Sequence, residues 1–335
     1  MKKKIISFSL ILIATSLVLY YALKDDYSTI INTIFSINKY WFLFSFVLLF
    51  GYYFFRSYSM YKIIIEFNED FKFKNALRLV LETNFFHAIT PFATGGQPYE
   101  IYALNKKNIK VPDAISISIG NFIVYQIALV TLGLIAIICN HFLKIINAGL
   151  LKELITLGFV INFSVIVVLL AITISKKTDK TIVDFFINIL GKIKVLKKPE
   201  EKKEHFHNYL KEFNMASKLL FKDKIKFLFL ILCQFMSLIC LYLIPLVLFL
   251  GIGVNNINAY ESIIVMSYVM LIGSFVPIPG GTGGLEYGFV AFFTKFIKGS
   301  KLNAIMLVWR FITYYFGMIL GAIVLNFKKE KKIWE

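Results

Sequence analysis

Long apolar runs separated by short polar stretches dominate the chain, and their lengths decide the fold class. A membrane-spanning helix needs about 20 mostly apolar residues. Six stretches meet that requirement: residues 5–23, 40–61, 114–139, 154–174, 227–250 and 302–327. The first follows Met1-Lys2-Lys3-Lys4, as the core of a signal peptide would. Its apolar run exceeds the usual length of such a core, and Tyr20-Tyr21-Ala22-Leu23 is a poor cleavage site, so it reads as a span.

Two further apolar stretches, residues 77–104 and 260–297, are interrupted. The first breaks at Thr90-Pro91-Phe92-Ala93-Thr94-Gly95-Gly96-Gln97-Pro98 and the second at Pro277-Ile278-Pro279-Gly280-Gly281-Thr282-Gly283-Gly284. Proline removes a donor and glycine is a poor helix former, so neither stretch reads as one continuous helix.

Basic residues orient this layout. With the amino terminus inside, 29 of the 37 Lys and Arg fall on cytoplasmic segments, Arg56 among them, and 7 fall outside. The remaining one, Arg310, is assigned to the interior of a span. The positive-inside rule asks for that bias, which places both termini in the cytoplasm. The first broken stretch is flanked by cytoplasmic charge and the second by outer loops, so they read as re-entrant hairpins of opposite sense. Residues 260–276 and 285–297 as two short full spans are the competing layout, and it leaves the termini where they are.

The expected fold is therefore an all-α integral membrane protein forming a single domain over residues 1–335. About six full transmembrane helices accompany two broken or re-entrant hairpins in inverted-repeat relation. Residues 175–226 form a basic cytoplasmic segment with 14 Lys against 7 acids, and 328–335 a cytoplasmic tail. Within the basic segment, Ile182, Phe185, Phe186, Ile189 and Ile193 recur at helical spacing. That pattern suits an amphipathic helix lying on anionic inner-leaflet lipid, or a linker whose charge enforces topology.

Composition agrees with this class. Of 335 residues, 58% are apolar and 17% charged, against about 45–50% and about 25% in soluble domains. The net charge of +17 does not indicate nucleic acid, because the basic residues sit between apolar segments rather than on one soluble face. Cys139, Cys233 and Cys240 have no metal-ligand spacing, and His205-Phe206-His207 has no accompanying ligand set. No metal, cofactor or catalytic nucleophile–base set is expected.

The candidate chemistry lies in an internal echo. Thr94-Gly95-Gly96-Gln97-Pro98-Tyr99-Glu100 resembles Thr282-Gly283-Gly284-Leu285-Glu286-Tyr287, 188 residues further on. Paired Gly/Pro-interrupted segments in two halves of a membrane protein point to inverted repeats around a midplane site. Backbone that leaves the helix inside a bilayer is tolerated only where protein or a water-filled cavity satisfies it. A restarting half-helix aims free N–H groups and its positive dipole end there, which suits phosphate or carboxylate, and glycine permits close approach. Glu100 and Glu286 would bind a cation or cap N–H groups. A simple hairpin turn at the membrane surface is the plain alternative. Arg310, inside an apolar span, needs a cavity or a partner. Glu286 is its expected partner and a lipid phosphate its expected ligand. The expected substrate-binding set is thus Thr94, Gly95, Gly96, Gln97, Glu100, Thr282, Gly283, Gly284, Glu286 and Arg310. Glu82, Asn84, His87, Asn121, Gln126 and Gln234 would serve as secondary polar lining or interhelical bonds.

These residues resemble a known family. Thr90-Pro91-x-x-Thr94-Gly95-Gly96-Gln97-Pro98, Asn108-Ile109, Pro277-x-Pro279-Gly280-Gly281-x-Gly283-x-x-Glu286 and Arg310-x-x-Thr313-Tyr314-Tyr315 are similar to the lysylphosphatidylglycerol synthase transmembrane family. This is the flippase-like membrane domain of bacterial phosphatidylglycerol lysyltransferases. In bifunctional members, the resemblance implies, a soluble domain transfers lysine from lysyl-tRNA to phosphatidylglycerol. The membrane part passes the product outward, giving resistance to cationic antimicrobial peptides. This chain ends eight residues after its last span, without that soluble domain. The expectation is a flippase-like protein for a membrane phospholipid, possible cargoes being lysylated phosphatidylglycerol and a polyprenyl-linked lipid. It would act with a separate synthase or as a homo-oligomer. A lysyltransferase or its membrane component, and an ion-coupled small-anion carrier, are the alternatives.

Overall fold

The computed structural model describes residues 27–146, 149, 151–174 and 222–326, and every regular element among them is helical. The span expected at 5–23, the amphipathic helix expected around 182–193, the histidine pair and the tail lie outside the described residues.

α1 (Tyr27–Ser36) meets α2 (Lys39–Ile64) at 81°. Asn38 makes the corner: its side chain accepts from the Tyr40 amide at 2.9 Å, and its own amide donates to the Gly251 carbonyl at 2.9 Å. α3 (Phe73–Ala88), a 3-10 turn at Pro91–Ala93 and α4 (Gly96–Asn105) occupy the first interrupted stretch. α5 (Val111–Leu143) follows; its 33 residues give a length of about 50 Å. After α6 (Leu151–Ile174), the stretch expected at 227–250 divides into α7 (Lys224–Tyr242) and α8 (Ile244–Gly251). The division falls at Pro245, which cannot donate to the preceding turn. α9 (Ala259–Gly273), a 3-10 turn at Pro279–Gly281 and α10 (Gly284–Phe293) occupy the second interrupted stretch. The last span is α11 (Ser300–Arg310), a π-helical segment at Phe311–Phe316 and α12 (Gly317–Asn326).

Among the described residues, four helical units are long and apolar enough to cross a membrane: Val111–Leu143, Leu151–Ala171, Lys224–Gly251 and Ser300–Asn326. The bent α1–α2 pair makes five if it is one span. Leu157, Val160, Phe163, Val167 and Val168 leave one face of α6 exposed, as contact with hydrocarbon requires.

Polar contacts and small residues join these helices, as expected where lipid removes the hydrophobic drive between them. Gly158 lets α6 approach α9 so closely that a Cβ there would lie 2.2 Å from the Leu271 carbonyl oxygen. Beside it, Gln126 donates to Asn162 at 3.3 Å, and Asn162 donates to Ser274 at 2.7 Å. Gln234 on α7 donates to Asn121 on α5 at 3.1 Å. Three of the expected polar positions, Asn121, Gln126 and Gln234, therefore form interhelical bonds.

Candidate functional site

The two interrupted stretches open on the same turn and then part, Gly95 lying at φ −78° where Gly283 lies at +90°. In each, Pro opens a 3-10 turn whose next two residues carry positive φ: Phe92 and Ala93 at 52° and 54°, Gly280 and Gly281 at 68° and 63°. The threonine after each turn donates back to its proline carbonyl, Thr94 to Pro91 at 3.0 Å and Thr282 to Pro279 at 2.9 Å. A ten-residue helix then begins at Gly96 or Gly284. All of these pairs keep the 188-residue offset. The helices flanking each turn pack on each other, and the two turns pack against one another. Glycine is required at Gly96, where a Cβ would fall 2.1 Å from the His87 ring, and at Gly280, where it would fall 2.3 Å from the Tyr314 ring.

The second turn is locked from within. Arg310, 4% exposed, sets Nε 2.6 Å from Glu286 Oε1. The N–H does not point along that line, so the contact is an ion pair rather than a linear hydrogen bond. Arg310 Nη2 donates to the Gly280 carbonyl at 3.1 Å and to Thr282 Oγ1 at 3.3 Å. Glu286 Oε2 accepts the Gly283 amide at 2.7 Å, which caps the start of α10. The guanidinium also stacks on Tyr314, 4.6 Å from the ring centroid. Tyr314 donates in turn to the Ala88 carbonyl at the end of α3, 3.0 Å away. One helical turn of the last span thus touches both interruptions, and its π-helical geometry sits at that junction.

The first turn is held more lightly. Thr90 Oγ1 accepts the Gly95 amide at 2.8 Å, and His87 Nδ1 donates to the Ala93 carbonyl at 2.5 Å. Phe86 stacks on Tyr99 at 4.2 Å, and Tyr99 donates to Glu82 at 2.5 Å. Glu82 pairs with Arg78 at 2.8 Å, so it serves this strut and lines neither cavity beside the turns.

Two adjoining cavities flank the paired turns. The larger, about 430 Å³, is lined by Thr94, Gln97 and Glu100 of the first turn and helix, and by Ser118, Asn121 and Tyr125 of α5. Arg56 of α2 completes its wall. The smaller, about 210 Å³, lies under Gly280, Arg310 and Tyr314. Asn84, His87 and Ala93 line both and form the partition.

Of the ten expected site residues, Thr94, Gln97 and Glu100 line the larger cavity and Arg310 the smaller. Gly95, Gly96, Thr282, Gly283, Gly284 and Glu286 build the turns themselves. The two glutamates are not equivalent. Glu286 is a cap and counter-ion, whereas Glu100 lies further along its helix and accepts from Ser118 at 2.7 Å. Their separation from the Thr-Gly-Gly element differs by two residues, which turns them to different helix faces. Arg56 was grouped with cytoplasmic charge by its place near Lys62; the fold puts it inside α2, on the cavity wall. A charged residue within an apolar run was the available signal.

The chain matches the family described as the lysylphosphatidylglycerol synthase transmembrane region over residues 5–321. It is also similar to a UPF0104 membrane protein of Archaeoglobus fulgidus, with 24% identity over 273 residues, 77% of each chain.

Proposed function

Because the chain belongs to the lysylphosphatidylglycerol synthase transmembrane family, we propose that it is a multi-pass membrane protein of flippase type, which carries phosphate-bearing lipids between leaflets. The observation that carries this reading is the packing of the two interrupted hairpins against each other beside two cavities whose largely apolar walls carry a few polar and charged side chains. Helices of 16, 10, 15 and 10 residues flank the turns. At about 1.5 Å per residue none is longer than about 24 Å, short of a bilayer core of about 30 Å. Two half-depth hairpins meeting tip to tip put polar backbone where a headgroup must pass. Their matched turns support an inverted repeat of opposite sense, with both termini cytoplasmic.

In this reading the headgroup enters the larger cavity while its acyl chains stay in hydrocarbon. Thr94 and Gln97 offer hydrogen bonds, and Glu100 receives hydroxyl or ammonium groups. Arg310 and Glu286 hold the second turn in shape, and the glycines keep the helix starts open to close approach.

The test is reconstitution into phosphatidylcholine vesicles containing fluorescent phosphatidylglycerol, with outer-leaflet quenching as the readout. Quenching beyond the outer-leaflet fraction, dependent on protein, supports the reading. No lipid movement, with uptake of labelled phosphate ions instead, favours a small-anion carrier. Lysyl-lipid formed on adding lysyl-tRNA would make the chain a transferase.

A further inference from the structure

The two arginines that line the cavities differ in what answers their charge. Arg310 has a carboxylate at 2.6 Å and two further acceptors. Arg56 has one hydrogen bond among the described residues, from Nη1 to the Tyr52 hydroxyl at 2.5 Å. Its guanidinium lies 5.8 Å from the Tyr52 ring centroid and 5.3 Å from that of Tyr125. No carboxylate of the described residues is within 4.0 Å of it. Glu100, on the same cavity, acts on Arg56 only through space, while its carboxylate accepts from Ser118. A guanidinium carries five donors in a planar fork; half-buried on the cavity wall, Arg56 leaves most of them free to meet an anion. In a membrane protein such a residue faces a cavity and completes itself with what enters.

We propose that Arg56 is the anion receptor of this protein: a phosphate mono- or diester seats in the larger cavity against the Arg56 fork. The Tyr52 hydroxyl anchors one N–H, and the nearby Tyr52 and Tyr125 rings restrict the guanidinium and so the direction of its remaining N–H groups. The phosphate thereby supplies the counter-charge that Glu286 supplies to Arg310. Thr94 and Gln97 stand on the wall shared by this anion, at the start of α4, where the helix dipole has the favourable sign. Room suits a headgroup: about 430 Å³ is the share of roughly 14 water molecules. The proposal rests on the reading that a phosphate headgroup uses this cavity, and it names the residue that selects it.

The experiment compares wild type, Arg56→Gln, Arg56→Lys and Asn162→Leu. One arm measures co-purified phosphatidylglycerol by native mass spectrometry from phosphatidylcholine nanodiscs containing it. The other measures glycerol 3-phosphate binding in a phosphate-free detergent. Arg56→Gln should lower binding at least tenfold in the arm where wild type binds. Arg56→Lys, which keeps charge but loses the fork, should fall between the two. Asn162→Leu, at a residue that lines neither cavity, should bind within threefold of wild type. Retention volume and a melting curve check the fold of each variant, and Arg56→Lys decides the outcome if Arg56→Gln fails to fold. Arg56→Gln or Arg56→Lys binding as wild type does would overturn the proposal. Binding lost with Arg56 while vesicles show no lipid movement would keep the receptor and remove the flippase reading. Wild type that binds neither ligand overturns both.

Discussion

Replacing Gly280 by alanine should be among the costliest single-methyl additions in this protein. The residue has φ +68°, a region that costs an L residue about 1–2 kcal/mol. The new Cβ would lie 2.3 Å from the Tyr314 ring, and overpacking of this kind costs about 1–3 kcal/mol. Tyr314 has little room to yield, because its hydroxyl is bonded to Ala88 and its face to Arg310. The sum is about 2–5 kcal/mol. Phe92, the equivalent position of the first turn, provides the control. It already holds φ 52° with a side chain and is 56% exposed, so Phe92→Ala adds no strain and loses little burial, under about 1 kcal/mol. Unfolding by sodium dodecyl sulfate in mixed micelles, followed by far-ultraviolet circular dichroism, measures both. The reasoning fails if Gly280→Ala stays within about 0.5 kcal/mol of wild type, or if Phe92→Ala costs as much.

Other substitutions probe separate parts of the account. Glu286→Gln leaves Arg310 buried without its carboxylate and should cost about 3–5 kcal/mol in the same assay, much of it recovered when Arg310 is replaced as well. Asn162→Leu removes the link between Gln126 and Ser274 and should cost about 0.6–2 kcal/mol, with no effect on glycerol 3-phosphate binding. Ser118→Ala leaves Glu100 without its hydroxyl donor; a loss of about 1–3 kcal/mol is expected from the melting curve. Reporter fusions after residues 26 and 256 should report the outside, and a fusion after 335 the cytoplasm; a reversed pattern would invert the charge argument.

Much of this architecture was readable from one dimension. Apolar runs set the four long units among the described residues, because length and hydropathy alone decide whether a helix can cross a bilayer. The interruptions fell where Pro91 and Pro279 open them, and the pairing of Arg310 with Glu286 followed from the cost of an unpaired charge in an apolar run. What escaped depends on packing. α1 has only ten residues, too few to register as an apolar run, and its angle to α2 comes from two hydrogen bonds at Asn38. The meeting of the two turns is a contact across 188 residues, which no local pattern encodes. Arg56 was concealed by its proximity to true flanking charge, since hydropathy does not say which face of a helix meets a cavity. The unlike roles of Glu100 and Glu286 came from a two-residue shift that similar motifs obscure.

The central claim is that the paired turns border a cavity, lined in part by polar side chains, that receives a phosphate group from within the membrane. Thiol accessibility at position 94 tests it most directly. In a chain with Cys139, Cys233 and Cys240 replaced, Thr94→Cys should react in nanodiscs with a small charged methanethiosulfonate, and glycerol 3-phosphate should slow that reaction. A thiol there that never reacts, or that reacts at the same rate whatever phosphate is added, would contradict the account.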